Sequence, residues 1–392
     1  MSELLESRWT ETKDALLEGL DGNKKSVMAA TLENTRKYLS ESATAGATSA
    51  GNVATLNRVI LPVIRRVMPT VIANELVGVQ PMTGPVGQIH TLRVRYADAF
   101  NSTNGTDTAA GDEALSPFKI AEGYSGAAAT DKAASTAALE GAAGNRLSIQ
   151  ILKQTVEAKT RKLSARWTFE AAQDAQSQHG IDVEAEIMAA LAQEITAEID
   201  QEVLASLSSL AGSAAETYDQ SAVSGTATFF GDEHAALAVQ INRVSNLIAQ
   251  RTRRGAGNWA VVSPFALTIL QSATTSAFAR TTEGTFEAPT NTKMVGTLNN
   301  AMKVYVNTYA ADNSPVLIGY KGSSESDAAA FYCPYIPLMS SGVVLDPGTF
   351  EPTVSFMTRY GYVELNNTAS SLGNAADYLG KVDITNSAVS FQ

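Results

Sequence analysis

The 52 residues from 97 to 148 hold only seven large apolar or aromatic side chains: Phe100, Leu115, Phe118, Ile120, Tyr124, Leu139 and Leu147. Gly, Ala, Ser and Thr dominate the rest. Such a stretch cannot bury enough apolar surface to offset the entropy of ordering it. A loop this long inside a compact domain is uncommon. Both flanks alternate with the period of a strand. Over 88–96, His90, Leu92, Val94 and Tyr96 share one face, and Ile89, Thr91, Arg93 and Arg95 the other. Over 149–169, Leu152, Gln154, Val156 and Ala158 alternate with Lys153, Thr155, Glu157 and Lys159. The pattern predicts one long hairpin with a soft, exposed tip.

Composition narrows what surrounds it. The 392 residues carry 29 Lys+Arg against 40 Asp+Glu, a formal net charge of -11. Charged residues are 18%, below the roughly 25% usual in globular domains. Hydrophobic residues are 44%, but 61 of the residues are Ala, so much of that fraction is small. The negative balance argues against whole-surface nucleic-acid binding by counterion release. A single cysteine, Cys333, rules out an internal disulfide framework and a CxxC zinc site. No apolar run approaches the roughly 18 residues of a membrane helix. The acidic start Met-Ser-Glu-Leu-Leu-Glu lacks the basic and apolar regions of a secretory signal. These features predict a soluble, cytosolically made chain with two or more domains and no membrane partner.

Residues 1–41 read as two short amphipathic helices, the first with Leu5, Trp9, Leu16 and Leu20, the second with a thin stripe of Val27, Thr31, Tyr38 and Leu39. So polar a segment needs a packing partner. Residues 42–52 (SATAGATSAGN) read as a flexible linker. The first 52 residues are therefore expected to form an arm outside the main fold. The globular pattern begins near Leu56. A helix spanning about 181–210 carries Met188, Leu191, Ile195, Ile199 and Val203 as a stripe. The rest of its surface between 182 and 202 holds Asp182, Glu184, Glu186, Glu194, Glu198, Asp200 and Glu202, and no base. Beyond 232 a helix (233–250), a strand (Trp259–Ser263), a helix after Pro264, and strands at Met302–Asn307, Val316–Tyr320 and Ala329–Tyr332 complete an α+β chain.

No catalytic or cofactor constellation emerges. His90, His179 and His234 have no ligand-like neighbours beyond Asp232 and Glu233, and no HExxH exists. Gly255–Ala260 spells GxGxxA, but it follows a helix and opens a strand, the reverse of a dinucleotide site. Cys333 reads as a buried structural thiol. Arg251, Arg253 and Arg254 suit a helix C-terminus. Neither an enzyme activity, nor a metal, nor a cofactor is expected.

Charge segregation is the more informative feature. Lys153, Lys159, Arg161, Lys162 and Arg166 lie against a single Glu157, and Arg93 and Arg95 belong to the facing strand. A basic hairpin base and an acidic helix are either separately solvated faces or a complementary pair joining two copies of the chain.

Four blocks then carry a resemblance. Ile72–Pro85 (IANELVGVQPMTGP) is similar to the start of the mature major capsid protein of tailed myophages related to the T-even coliphages. So are Trp167–Val203, including His179–Glu186, and Ile318–Gly322. Phe331–Leu338, followed by Phe350–Tyr360 (FEPTVSFMTRY), resembles the same family's C-terminal region. The resemblance implies a Hong Kong 97-type capsid fold. On it, 1–52 is the N-terminal helical arm and linker, and 53–85 leads into the P domain. Residues 86–168 are the E-loop, 169–228 the P domain with its spine helix, 229–324 the A domain, and 325–392 the return strands of the P domain and the C-terminal segment.

The implied function is architectural. Copies form hexamers and pentamers of a phage head shell around packaged double-stranded DNA, assembled in the host cytoplasm. Scaffold, vertex, portal and decoration proteins are the implied partners. On this reading Arg93, Arg95, Lys153, Lys159, Arg161, Lys162 and Arg166 make the E-loop contacts between neighbouring copies. Their counterparts are Glu184, Glu186, Glu194, Glu198 and Glu202 of the spine helix. In the family a prohead protease cuts after a glutamate in a Leu/Ile-x-Glu context. Leu39-Ser40-Glu41 fits, placing a candidate cut after Glu41, though Leu4-Leu5-Glu6 and Leu16-Leu17-Glu18 fit equally. The alternatives are the pentameric vertex paralogue of the same family or an encapsulin-like shell protein.

Overall fold

The computed structural model describes residues 9, 13–14, 17, 22–44, 71–101, 107–112, 114, 123–126, 132–140, 144–179, 182–219, 230–252, 254–273, 278–280, 293–299, 301–325, 327–349, 351–365 and 375–385. Helix α1 (Gly22–Thr44) comes first, then the single turn α2 (Ala73–Leu76) and strand β1 (Gly78–Val79). Next are β2 (Val86–Tyr96), the turn α3 (Thr136–Leu139), β3 (Leu147–Glu157), β4 (Lys159–Arg166), α4 (Phe169–His179) and α5 (Val183–Leu210). β5 (Glu216–Asp219), α6 (Phe230–Thr252), β6 (Trp259–Val262) and α7 (Pro264–Ser272) follow. β7 (Phe278–Arg280), β8 (Lys293–Leu298), β9 (Met302–Val306) and β10 (Val316–Gly319) come next. The chain ends with β11 (Ala330–Ser340), β12 (Val344–Leu345), β13 (Pro352–Glu364) and β14 (Leu379–Thr385). The class is α+β, as expected.

The chain divides into two units. The first comprises Met1–Gly87, Val156–Ser206 and Ala330–Val363. Its sheet runs β1-β11-β13-β12, with β4 also paired to β13. β13 is the organiser: Pro352, Val354, Phe356, Thr358 and Tyr360 are buried and the residues between them are not. That period of two is what a half-buried strand requires. β4 runs antiparallel to it from Thr353↔Arg166 to Tyr360↔Lys159. On α5 the predicted stripe of Met188, Leu191, Ile195, Ile199 and Val203 is buried.

Two expectations change here. The hairpin ends at Glu157, and Lys159–Arg166 is a separate strand of the first unit's sheet. Alternation runs straight through Ala158, so periodicity alone could not reveal a change of partner. Helix α1, within the segment expected to stand as an arm outside the fold, packs on the first unit. Val27, Met28 and Leu32 of α1 are at most 4% exposed. Asn34 donates from Nδ2 to the carbonyls of Met82 (2.6 Å) and Tyr335 (3.0 Å). The thin stripe on this helix found its partner within its own chain. The helix runs on through Thr44, taking in the backbone of Glu41; that side chain, and the rest of the expected linker at 45–52, lie outside the described residues.

The second unit comprises Gln88–Thr155, Leu207–Ala329 and Glu364–Gln392. Its seven-stranded sheet has the order β5-β14-β10-β6-β9-β8-β7. α6 contributes Leu237, Ile241, Val244 and Ile248, and α7 Ile269 and Leu270, to the core over that sheet. Ser263 caps α7, its hydroxyl accepting the Ala266 N–H, with Pro264 in the first turn. β5 and β14 join this sheet rather than the strands of the first unit, because Tyr218, Val382 and Ile384 fill its core.

β2 and β3, which lie in this unit from Gln88 and up to Thr155, pair with each other. The main-chain bonds from Ala97 to Arg146 and from Ala158 to Pro85 bracket them and make the pair antiparallel. The tip is less formless than its composition suggests. Tyr96, Phe100, Ala114 and Tyr124 make a small core of their own. Asp98 clamps Arg146 through its guanidinium (3.0 Å) and its N–H (2.9 Å).

Phe356 is fully buried at the middle of β13. Phe356→Ala should lower the stability of the first unit by about 3–5 kcal/mol, whereas Met357→Ala, on the outer face, should cost under about 1 kcal/mol. Urea unfolding followed by fluorescence and circular dichroism checks both.

Candidate functional site

The densest polar cluster joins β4, β13 and α5. Arg161 lies across from Thr358, so it shares a face with Tyr360 on the diagonal. One turn of α5 presents Glu198 and Glu202 on the same side. The Arg161 guanidinium donates to Glu198 at 2.6 Å and to Glu202 at 2.5 Å. Its Nε donates to the Tyr360 oxygen at 2.5 Å. Tyr360 in turn donates its hydroxyl proton to Glu202.

Burial alone would raise the Glu202 carboxyl, but bonds from Tyr360 and Arg161 outweigh it and hold it below its ordinary range. Burial would lower Arg161, and its bonds to Glu202 and Tyr360 reverse that. Burial, then the Glu202 bond, raises Tyr360, so the phenol stays a donor at neutral pH. The side chains of Arg161, Glu198 and Glu202 remain 30%, 45% and 38% exposed. Such pairs are individually weak; the shared guanidinium and tyrosine provide geometry more than energy.

Within one chain, Arg161 already has acidic partners, because β4 sits in the sheet beneath α5 and not on the hairpin. Arg166 likewise meets Glu351 of its own chain at 3.6 Å. Lys159 is exposed and adds its charge to the field at Glu202. Lys153 and Lys162 are exposed, as are Glu186 and Glu194, with Glu184 half-buried, and among the described residues none of these five has an ion-pair partner. Arg95 is half-buried, with its Nε unpartnered among the described residues. The Arg93 side chain lies outside the described residues. Asp182 caps α5, accepting the Glu184 N–H at 3.1 Å.

Two features escaped the sequence reading. Leu147, Ile149 and Ile151 on one face of β3 are 55%, 68% and 66% exposed. Their alternation with Ser148 and Gln150 was visible, but not that the apolar side would stay uncovered. Asp200, one of the acids expected on the helix surface, is 1% exposed. On a helical wheel it falls within the stripe of Thr196, Ile199 and Val203, and that position was the available signal.

The remaining motifs are structural. Gly255–Ala260 leads from α6 into β6, where Trp259 and Ala260 are buried. His234 is buried and meets Ser272 through Nδ1 at 2.5 Å. Arg254 pairs with Asp327 at 2.6 Å, while Arg253 lies outside the described residues. The Cys333 thiol is buried and raised to about 11 by that burial.

Residues 53–386 match the family model of the major capsid protein Gp23. The chain is 30% identical over 418 residues to the major capsid protein of Vibrio phage KVP40, covering 84% of this chain and 80% of that one. It is 30% identical over 425 residues to the major capsid protein of Enterobacteria phage T4, covering 86% and 80%. Among solved structures, one from Mycobacterium phage Cain aligns at a TM-score of 0.47 and 11% identity, covering 80% of this chain and 90% of that one. The capsid of Myoviridae Phage XM1 aligns at 0.45 and 10%, covering 80% and 91%.

The Glu202 carboxyl is depressed in the folded chain, so the stability it contributes is present above the unfolded carboxylate value of about 4.5. That contribution is lost as pH falls through the lower folded value. Arg161→Gln should flatten this acid limb: its melting temperature should fall less steeply between pH 5 and pH 3 than the parent's. Thermal melts across that range check the sign.

Proposed function

The chain belongs to the family of Gp23 major capsid proteins, and from that we propose that its copies close a phage head as hexamers and pentamers around packaged double-stranded DNA. It is a structural component of the capsid shell in the virion, and the family resemblance implies the Hong Kong 97-type fold. Assembly takes place in the host cytoplasm with scaffold, vertex, portal and decoration proteins as partners.

One observation carries this reading. An extended ribbon whose Leu147, Ile149 and Ile151 are left more than half exposed serves no purpose in a monomer. It suits a strap laid over a neighbouring copy. Charges without an ion-pair partner among the described residues supply register: Lys153 and Lys162 of one copy approach Glu186 and Glu194 of the next. Each exposed pair is worth only about 0–1 kcal/mol, so the effect accumulates over many repeats. The net charge of -11 suits a wall that encloses DNA without adhering to its phosphates. A cut after Glu41 would leave α1 held to the first unit by its buried side chains.

Electron micrographs of the purified full chain should show shells, tubes or capsomer rings. Ile149→Asp with Ile151→Asp should leave a folded protein that forms none of these, and a parent that stays monomeric at all concentrations overturns the proposal. Glu186→Lys with Glu194→Lys should slow assembly in light scattering. Adding Lys153→Glu and Lys162→Glu should restore part of the rate.

A further inference from the structure

Asp200 lies inside the apolar stripe of α5, away from the acidic face. Its Oδ1 accepts the N–H of Ile72 at 2.8 Å, and its Oδ2 is buried with no hydrogen-bond partner among the described residues. Ile72 opens a stretch that is itself almost fully buried: Val71, Ile72, Ala73, Leu76, Val77 and Val79 are at most 3% exposed. That stretch runs into β1, which pairs parallel to β11 at Gly78↔Phe331 and Val79↔Tyr332. Asp200 is thus the polar pin between the long helix and the lead-in segment.

Among the described residues, the groups around it do not neutralise a negative charge there. From β11, Tyr332 feels the Asp200 carboxylate; its own burial, more than that charge, keeps the phenol protonated. The neighbouring Cys333 thiol is likewise neutral. Glu198 and Glu202 of α5 are turned to Arg161. Tyr360 on β13 donates to Glu202, and Lys159 on β4 adds to the field there. On α2, Glu75 pairs with Lys24 of α1 at 2.5 Å. A buried carboxylate with one neutral donor and one orphaned oxygen is costly when ionised and acceptable when protonated.

We propose that Asp200 is a proton-dependent latch: protonated, it pins residues 71–79 to α5, and ionised, it loosens them. Burial pushes the carboxyl up to about 7, with the Ile72 N–H pulling the other way. A carboxyl raised in the folded state contributes stability that is complete below its unfolded value near 3.8. That stability is lost as pH rises toward 7, opposite in sign to the Glu202 effect.

Amide hydrogen exchange on the full chain at pH 5, 6, 7 and 8, corrected for intrinsic chemistry, tests this. In peptides covering 71–79 the opening constant should rise by up to about tenfold per pH unit between pH 5 and 7, then level off. A peptide covering Met302–Val306 serves as an internal reference and should not follow that trend. Asp200→Asn keeps the acceptor for Ile72 and cannot ionise, so its opening constant should be flat. A flat profile in the parent, a parallel rise in the reference peptide, or the same slope in Asp200→Asn overturns the latch. Should Asp200→Asn fail to fold, the parent's profile against its reference decides alone.

Discussion

The seating of α5 against the first unit's sheet is the constraint on which the rest of that unit depends. A helix bearing this many acids can pack on a sheet only if each acid reaches water, a cation or a donor. The helix meets the condition in three ways. Asp182 spends its charge on the helix N-terminus. Glu198 and Glu202 converge on Arg161, and Glu184, Glu186 and Glu194 stay at or near the surface. Asp200 alone meets it incompletely, and it does so where the lead-in segment crosses the helix.

The second unit relies on close packing of small groups. Gly319 ends β10 against Trp259, and a Cβ there would overlap the indole ring. The ring and the strand can approach this closely only because the position is glycine. On the β2–β3 hairpin, Leu147, Ile149 and Ile151 stay exposed while Val156 at its base and Tyr96 near its tip are buried. Its tip is held by tilted and edge-to-face ring contacts of Tyr124 with Tyr96 and Phe100 and by the Asp98–Arg146 clamp.

Much of the fold was legible in the chain because it rests on local periodicity. The stripe of α5, the helix after Pro264 and strands β9 and β10 follow from spacing and caps alone. What periodicity could not carry was partner choice. Lys159–Arg166 alternates as the hairpin does, but its hydrogen bonds go to β13, about 190 residues away in sequence. Likewise α1 shows a stripe too thin to stand alone, and nothing local says that β11 and the carbonyls of Met82 and Tyr335 complete it.

The site divides along the same line. By itself the sequence determined the family, through four ordered blocks, along with the α+β class, the acidic helix, the basic strand and the long soft hairpin. Only the tertiary structure decided which charges meet. It joined Arg161 to Glu198 and Glu202 within one chain, left Lys153, Lys162, Glu186 and Glu194 without an ion-pair partner among the described residues, and buried Asp200. The physical reason is that charge is a property of residues, whereas pairing and desolvation depend on which distant strand and helix are brought within a few ångströms.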